Sequence, residues 1–303
     1  MKPYDVLCIG SATIDQTISV QRLPTRDDKV LGKQVSEGVG GTATNSACVC
    51  ASLGLKVAAL GSIGDSAASQ LIRAEYRHYG IDQRYLNYSV EFEPMRVLIM
   101  LDDSGEKSLI IMPNEPADNF AEGLKQAISD SHYVYTMPGD LELLQRAGEL
   151  TKVHGSRLAV DIEPTTFSDS HELGVILTSA DVAFFNRDGF SKAFGVTPTA
   201  EQLAKLAQEH QLLGVVVTLG EGGAIGYVNG EYLSHPGFKV PVVDTTGAGD
   251  TFNAAMLYGL LRLPSAQAAM DFASACAAYS VGGVGAKGAV PTLDSVERFL
   301  RLG

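Results

Sequence analysis

A glycine-rich turn near the carboxyl end of the chain carries the clearest chemical signal in the sequence. Residues 244–250 read DTTGAGD; they follow an apolar segment and precede a helical pattern over 251–263. Glycines let backbone N–H groups approach a ligand, and the start of a helix adds partial positive charge. The turn therefore suits a phosphate or a developing oxyanion, and Asp250 suits the acceptance of a proton from an alcohol beside it. The alternative is a tight turn in which Asp250 only caps the helix.

A second glycine-rich motif lies near the amino end. Gly40 and Gly41 are followed, after three residues, by Asn45, at the start of an apolar helical pattern over 44–53. Paired glycines let a polyol lie against the backbone, and an amide side chain can donate to and accept from hydroxyl groups. The alternative is a loop-to-helix turn with Asn45 inside the first turn.

Together, the two motifs resemble the signatures of the ribokinase/PfkB family of sugar kinases. DTTGAGDTF, residues 244–252, is similar to the family's carboxyl-terminal signature, and residues 40–45 are similar to its Gly-Gly-x-x-x-Asn motif. Both occur in the family's order and at a family-like separation. Residues 9–15 resemble its first strand and substrate-binding aspartate, and residues 218–224 resemble its nucleotide-contacting turn. Residues 3–300 follow the family pattern without a large gap.

The resemblance implies transfer of the ATP γ-phosphoryl group to a hydroxyl of a small sugar or sugar derivative, with Mg²⁺ bridging the phosphates. Asp250 would be the general base. The backbone N–H groups of an anion hole would come from Gly247, Ala248 and Gly249. Substrate hydroxyls would be held by Asp15, Gly40, Gly41 and Asn45. The nucleotide side would be lined by Asn186, Thr218, Gly220, Gly223 and Thr246.

The resemblance also implies a monovalent cation, such as K⁺, beside the anion hole. Asp244 and Thr246 would supply oxygens, joined by backbone carbonyls near Val281, Val284 and Ala286. The alternative is that Asp244 only stabilises the turn through side-chain hydrogen bonds.

One position departs from the family pattern. The family carries Asn-x-x-Glu after a central strand, associated with Mg²⁺ and phosphate positioning. Here the run keeps Asn186 but ends in Gly189 instead of Glu. Asp188, one residue earlier, or Glu163 could take the place of the missing carboxylate. A protein that binds ligand on the kinase fold without turnover is therefore an alternative to a working kinase.

The sequence leaves the substrate open. Lys29 and Arg96 lie in segments expected to approach the pocket, where buried cations would favour an acidic or phosphorylated sugar. Otherwise they are solvated charges. The run 236–240 before the signature is similar to the family's sulfosugar kinases. Tyr135 or Phe167 could instead stack on a base, as in a nucleoside kinase.

Apolar strand-like runs alternate with helical patterns for most of the chain, which predicts an α/β fold with a mainly parallel sheet. Strands are predicted at 5–9, 56–60, 132–135, 157–161, 182–185 and 215–218. Helices are predicted at 44–53, 67–79, 141–154, 200–211 and 251–263. With the resemblance, this becomes a ribokinase-like three-layer α/β/α arrangement in a single domain, residues 1–303.

Two segments, 16–36 and 91–112, alternate like exposed antiparallel strands, and the second contains a hairpin turn at 102–105. They predict a small β-sheet that projects as a lid over the site. Because the edges of such a sheet are unpaired, a homodimer through the lid is expected.

Composition excludes several classes of protein. The 303 residues carry a net charge of −12 and are 45% hydrophobic, so neither a nucleic acid nor an anionic membrane is expected as a partner. No apolar run approaches the roughly 18 residues of a membrane span. The four cysteines, at Cys8, Cys48, Cys50 and Cys276, lack zinc-site spacing and are expected in the core of a cytoplasmic protein. The chain also lacks the Gly-x-Gly-x-x-Gly, P-loop and His-Glu-x-x-His motifs.

Overall fold

The computed structural model describes residues 2–113 and 121–302. Its strands, in chain order, are β1 Tyr4–Ile9, β2 Thr13–Val20, β3 Gly32–Gly40, β4 Val57–Leu60, β5 Ser62–Ile63, β6 Asn87–Tyr88, β7 Met95–Asp102, β8 Lys107–Met112, β9 Ser131–Thr136, β10 Arg157–Ile162, β11 Val182–Asn186, β12 Gly214–Thr218, β13 Ala224–Val228 and β14 Glu231–His235. Its helices are α1 Thr42–Ser52, α2 Ala67–Tyr79, α3 Ala121–Ser129, α4 Leu141–His154, α5 Ser170–Ser179, α6 Arg187–Phe194, α7 Ala200–Glu209, α8 Ala248–Arg262, α9 Ala266–Ser280 and α10 Leu293–Leu302.

Eight strands form the central sheet, in the order β14-β13-β12-β11-β10-β9-β1-β4. The strands from β4 to β12 pair in parallel, and β13 pairs antiparallel with both β12 and β14. The six predicted strands are all present in this sheet. The antiparallel pair β13 and β14, which covers one edge, was not predicted.

Helices cover both faces of this sheet because its strands are apolar on both sides. Along β1, Val6 and Cys8 pack into a core that includes α1, α8 and α9. Leu7 and Ile9 pack into a second core, which includes α3, α4, α5 and α7. Successive strand residues point to opposite faces, so a continuous apolar run fills two cores at once. The predicted three-layer α/β/α arrangement is confirmed.

A separate four-stranded sheet, β3-β2-β7-β8, forms the predicted lid. Its strands extend beyond the predicted segments: β2 begins at Thr13 and β3 ends at Gly40. Ile14 and Val39, at this end, are buried in the main core. The expectation of antiparallel pairing is wrong at the centre of the lid, where β2 and β7 are parallel. Between β3 and β7 the chain passes through α1, β4 and α2 and returns to the side from which β2 began. The two hairpins of the lid, β2-β3 and β7-β8, therefore extend in the same direction.

The central sheet brings several segments to one edge. The carboxyl ends of β1, β9, β10, β11 and β12 lie along this edge, which is where open α/β sheets bind ligands. The predicted single domain, 1–303, remains a prediction, and its residues 1, 114–120 and 303 lie outside the described part of the chain.

Two further expectations concern the core and membranes. All four cysteines are buried and free, as expected for small core residues. Among the described helices, none combines the length and the apolar character that crossing a membrane requires.

Candidate active site

Asp250 lies in the first turn of α8 and is directed away from its own helix. Its Oδ2 accepts a hydrogen bond from Nδ2 of Asn45 at 2.7 Å, and the hydroxyl of Ser46 donates to its carbonyl at 3.2 Å. The residue that caps α8 is Gly247, and no side chain caps this helix. The geometry therefore does not favour the capping alternative for Asp250, and it joins the two glycine-rich motifs in one site.

The turn before Asp250 presents backbone donors. Gly247 has a positive φ of 77°, and a Cβ there would lie 2.8 Å from the Cβ of Ala286, so a side chain is excluded both conformationally and sterically. Within the described chain, no acceptor is found for the N–H groups of Gly247 and Gly249, whereas that of Ala248 donates to the carbonyl of Thr245 at 3.2 Å. Two of the three N–H groups expected in the anion hole are thus available to a ligand.

Burial and neighbouring carboxylates make Asp250 a weak acid. Burial raises its pKa from the ordinary 3.8 to about 7, the hydrogen bond from Asn45 opposes the rise, and the negative charges of Glu163 and Asp15 add to it. A carboxylate with a pKa near neutrality can take a proton from an alcohol and release it again near neutral pH.

A second buried carboxyl group, on Asp161, lies beside Asp250. Burial, together with the negative charges of Asp250 and Glu163, raises the pKa of Asp161 to about 8, against the opposing effect of hydrogen bonds from Tyr135 and Asn253. The Tyr135 hydroxyl donates to Asp161 at 3.1 Å and accepts from Asn253 at 3.2 Å. The sequence reasoning missed Asp161, because it ends an ordinary apolar strand and belongs to no motif.

Asn45 and Asp15 were both predicted to bind substrate, and both lie beside Asp250. Asn45 is buried, and its Oδ1 has no hydrogen-bond partner. Asp15 accepts a hydrogen bond from the Thr13 hydroxyl at 2.6 Å. A Cβ at Gly40 would collide with the Asp15 carboxylate, and Gly41 is the residue at the start of α1. The structure thus brings together four of the six predicted substrate residues.

Lys29 and Arg96, the other two, do not join that group. Lys29 is exposed in the loop between β2 and β3, at the end of the hairpin away from Gly40. Arg96 is exposed and pairs with Ile14 in the register of β2 and β7. The side chain of Arg96 therefore extends from the face of the lid sheet opposite to the face that carries the Asp15 side chain. Burial raises the pKa of Asp15, and the hydrogen bond from Thr13 and the positive charge of Lys287 partly oppose that rise. Lys287 is itself paired with Glu75 at 2.6 Å.

Neither aromatic residue considered for base stacking is available for it. Tyr135 is completely buried beside Asp161, and Phe167 is 6% exposed with the ammonium of Lys192 4.5 Å from its ring centroid.

The residues predicted on the nucleotide side lie along the carboxyl edge of the sheet. Asn186 ends β11, and its Oδ1 accepts the Gly189 N–H at 2.7 Å, which caps α6. Thr218 ends β12, and Gly220 and Gly223 form the tight turn that leads into β13. Thr246 lies in the turn before α8.

The position of the missing glutamate is sterically closed. A Cβ at Gly189 would lie 2.6 Å from the Ile162 carbonyl oxygen and 3.3 Å from the Cα of Glu163. Asp188 is exposed, whereas Glu163 is half-buried. Burial alone raises the pKa of Glu163, and no hydrogen bond to its carboxylate is found within the described chain. The backbone of Glu163 therefore lies next to the position from which a glutamate side chain at residue 189 would extend.

The residues implied for a monovalent cation are engaged by protein donors. Oδ1 of Asp244 accepts from the Thr246 hydroxyl at 2.7 Å and from Nζ of Lys107 at 2.6 Å, and Oδ2 accepts from the Gly285 N–H at 2.9 Å. Although burial opposes ionisation, these hydrogen bonds hold the pKa of Asp244 well below its usual range.

The expected carbonyl ligands are similarly arranged. The Val281 carbonyl accepts the N–H groups of Val243 at 2.8 Å and Asp244 at 3.2 Å. Val284 is 70% exposed, and Ala286 packs against Gly247. With Oδ1 of Asp244 and the Val281 carbonyl already saturated by protein donors, this set of residues does not fit a bound cation.

Known proteins resemble this chain over its length. The family model described as pfkB family carbohydrate kinase matches residues 4–293. An ATP-dependent ribose-1-phosphate kinase from Halopiger xanaduensis is 28% identical, with 97% of each chain covered. A Bacillus subtilis ribokinase is 27% identical, with 98% of this chain and 99% of the relative covered. The structure of an Arabidopsis thaliana ribokinase complexed with ribose and ATP superposes with a TM-score of 0.82 at 23% identity, covering 99% of both chains.

Proposed function

Because the chain belongs to the pfkB family of carbohydrate kinases, we propose that it transfers the γ-phosphoryl group of ATP to a hydroxyl of a small sugar or sugar derivative, with Asp250 as the general base. One observation carries the proposal. Asn45 binds Asp250 through its amide nitrogen while its buried Oδ1 has no partner. A buried polar atom without a partner is costly, and a substrate hydroxyl would satisfy it next to the base.

The proposed mechanism follows from the positions of the groups. A sugar hydroxyl held by Asn45 and Asp15 would lie beside the Asp250 carboxylate, which accepts its proton as the oxygen attacks the γ-phosphorus and the bond from that phosphorus to the departing ADP breaks. The N–H groups of Gly247 and Gly249, at the positive end of α8, would stabilise the charge on the transferring phosphoryl oxygens. Positioning and charge stabilisation supply most of the rate enhancement in this class of reaction.

We propose that Glu163 takes over the role of the missing glutamate. Mg²⁺ bound to ATP neutralises charge on the phosphates. Glu163 suits an interaction with it, directly or through water, because its half-buried carboxylate has no hydrogen-bond donor in the described chain and its pKa is raised by burial. A nearby cation would stabilise its charged form.

The function is tested by ADP release with Mg-ATP against ketoses, aldoses, sugar acids, sugar phosphates, sugar sulfonates and nucleosides. One compound that turns over far above the rest supports the proposal and identifies the substrate. Thermal stabilisation by a compound without ADP release would contradict it and would indicate a ligand-binding protein.

The pH dependence tests the role of Asp250. We expect kcat/KM for the sugar, at saturating Mg-ATP, to fall about tenfold per pH unit below about pH 7 and to level off above it, because the base must be ionised. Glu163→Gln removes a negative charge that raises the pKa of Asp250, so it should move this limb to lower pH. A profile that stays flat from about pH 6 to pH 8 would contradict the assignment.

The metal role of Glu163 predicts a separate effect. Glu163→Gln should raise the Mg²⁺ concentration for half-maximal rate by about 10-fold or more, measured above pH 8, where Asp250 stays ionised. Asp188→Asn, an exposed carboxylate nearby, is the matched control and should leave that concentration unchanged. The same Mg²⁺ requirement in both variants would show that Glu163 does not contact the metal.

We further propose that the protein is a cytoplasmic homodimer joined through the lid sheet. The edge strand β8 exposes Leu109, Ile110, Ile111 and Met112, and an exposed apolar edge strand favours pairing with another chain. Light scattering at micromolar concentration measures the oligomeric state, and a monomeric mass would contradict the proposed dimer.

A further inference from the structure

Lys107 connects the lid to the turn that precedes α8. It is the first residue of β8, and its Nζ donates to Oδ1 of Asp244 at 2.6 Å and to the Thr246 hydroxyl at 2.9 Å. The side chains of Lys107 and Asp244 are 33% and 16% exposed, so the ion pair is partly shielded from water. The contact joins residues 137 positions apart.

The hairpin that carries Lys107 is stabilised by its own hydrogen bonds, independently of the contact with the turn before α8. Oδ1 of Asp102 accepts hydrogen bonds from the Ser104 N–H at 2.9 Å, the Ser104 hydroxyl at 2.6 Å and the Glu106 N–H at 3.0 Å. Lys107 follows directly and pairs with Leu101 in the sheet. Because the turn is already ordered, little further entropy is lost when the lysine docks.

Asp244 is the centre of the region that Lys107 contacts. Its carboxylate also accepts the N–H groups of Thr246 at 3.0 Å and Gly285 at 2.9 Å, and it therefore joins the turn before Gly247 to the loop containing Ala286. A negative charge so close to the phosphate-binding N–H groups would repel ATP unless a positive charge neutralised it. Lys107 supplies that positive charge. The carboxylate that it contacts, on Asp244, is the one that the family resemblance implies as a ligand of a monovalent cation.

We propose that the Lys107 ammonium replaces the monovalent cation in this protein, so that closing the lid completes the anion hole and phosphoryl transfer needs no K⁺. This inference rests on the proposed function. An ammonium group carries the same single charge as K⁺, and as a point donor it binds carboxylate and hydroxyl oxygens without a fixed coordination geometry. The saturation of Oδ1 of Asp244 and of the Val281 carbonyl by protein donors is consistent with this replacement.

The experiment uses the full chain as wild type, Lys107→Ala and Lys33→Ala. Lys33 is another exposed lysine of the lid, in β3, with no ion pair among the described residues, and it is the matched control. ADP release and melting temperature are measured in potassium chloride and in choline chloride at equal ionic strength, so that general screening is the same in both. The melting measurements contain no sugar or ATP.

Wild type and Lys33→Ala should show the same rate and the same melting temperature in both salts. Lys107→Ala should lose up to about 10²- to 10³-fold in kcat in choline chloride, the range expected when one charge-stabilising donor is removed. K⁺ should restore part of that rate and should raise the melting temperature of this variant only, because the ion can now occupy the vacated oxygens.

Three results would overturn the proposal: a K⁺-specific gain in wild type, a wild-type rate for Lys107→Ala in choline chloride, or a loss that K⁺ changes in neither rate nor melting temperature. The thermal measurements separate this inference from the proposed function. If no compound is phosphorylated, the proposed function fails. The melting temperatures still decide whether the lysine replaces the ion: K⁺ stabilises Lys107→Ala and not wild type if it does, and stabilises neither if it does not.

Discussion

Asp250→Asn should lower kcat by about 10²- to 10⁴-fold, the usual contribution of a general base, while making the folded protein more stable at alkaline pH. The loss of turnover follows because an amide cannot accept the hydroxyl proton. Binding of the sugar should persist, since the neighbouring Asn45 and Asp15 are unchanged. ADP release and calorimetric titration of the sugar measure the two effects separately.

The gain in stability follows from the pKa of Asp250. A pKa raised from 3.8 to about 7 means that the folded protein binds this proton more tightly than the unfolded chain does. Wild-type stability therefore falls as pH rises from about 4 through about 7, and the loss is complete above that range. The full shift corresponds to roughly 4 kcal/mol, which partial solvent access reduces to about 1–2 kcal/mol.

Melting temperatures of wild type and Asp250→Asn should thus be similar at about pH 4 and below and differ by roughly 2–4 °C at pH 8, with the variant higher. Asp188→Asn, an exposed carboxylate in the first turn of α6, should show no such divergence. A variant that is less stable than wild type at pH 8 would indicate that Asp250 is a structural residue. Near-normal turnover would exclude it as the base.

Gly189→Glu should not improve the enzyme, although it restores the residue typical of the family. Its Cβ would lie 2.6 Å from the carbonyl oxygen of Ile162, which belongs to a central strand, and 3.1 Å from Oδ1 of Asn186, which caps α6. Oδ1 of Asn186 cannot move without losing its hydrogen bond from the Gly189 N–H, and the Ile162 carbonyl is part of the backbone of β10. We expect a loss of about 1–3 kcal/mol in the free energy of unfolding, with the corresponding fall in melting temperature, and no lower Mg²⁺ requirement.

Smaller substitutions isolate the steric cause. Gly189→Ala should be destabilising, because the collision arises at the Cβ itself. Gly174→Ala is the matched control: it is also a helical glycine, and a Cβ there meets no atom within 4 Å. This control should be neutral or stabilising by about 0.5–1 kcal/mol. Urea unfolding of both variants decides the point, and equal stability of Gly189→Ala and wild type would show that the site can adapt.

Sequence reasoning predicted the central sheet well because its strands are continuous apolar runs, which few other structures explain. It missed β13 and β14 because buried residues in them are interrupted by half-buried or exposed ones and form no continuous apolar run. It also predicted antiparallel pairing throughout the lid. Strand direction there depends on how the chain returns through α1 and α2, which local alternation does not report.

In the site, sequence reasoning found the groups that belong to motifs and missed those that come together only in three dimensions. Asp250 and Asn45 were predicted, and they are hydrogen-bonded. The partnership of Lys107 with Asp244 left no trace in the sequence, since a lysine after a hairpin turn is common. Lys29 and Arg96 were chosen for their charge and segment, whereas the register of the strands decides which face a side chain takes.

The hydrogen bond between Asn45 and Asp250 spans 205 residues of the chain. Contacts of such long separation form late, because the entropy of closing the loop must be overcome before any gain is made. On the ribosome, the first half of the sheet can pair while α8 and α9 are still unsynthesised. Unfinished chains therefore contain Asn45 without Asp250, and the proposed site is complete only when α8 packs onto α1.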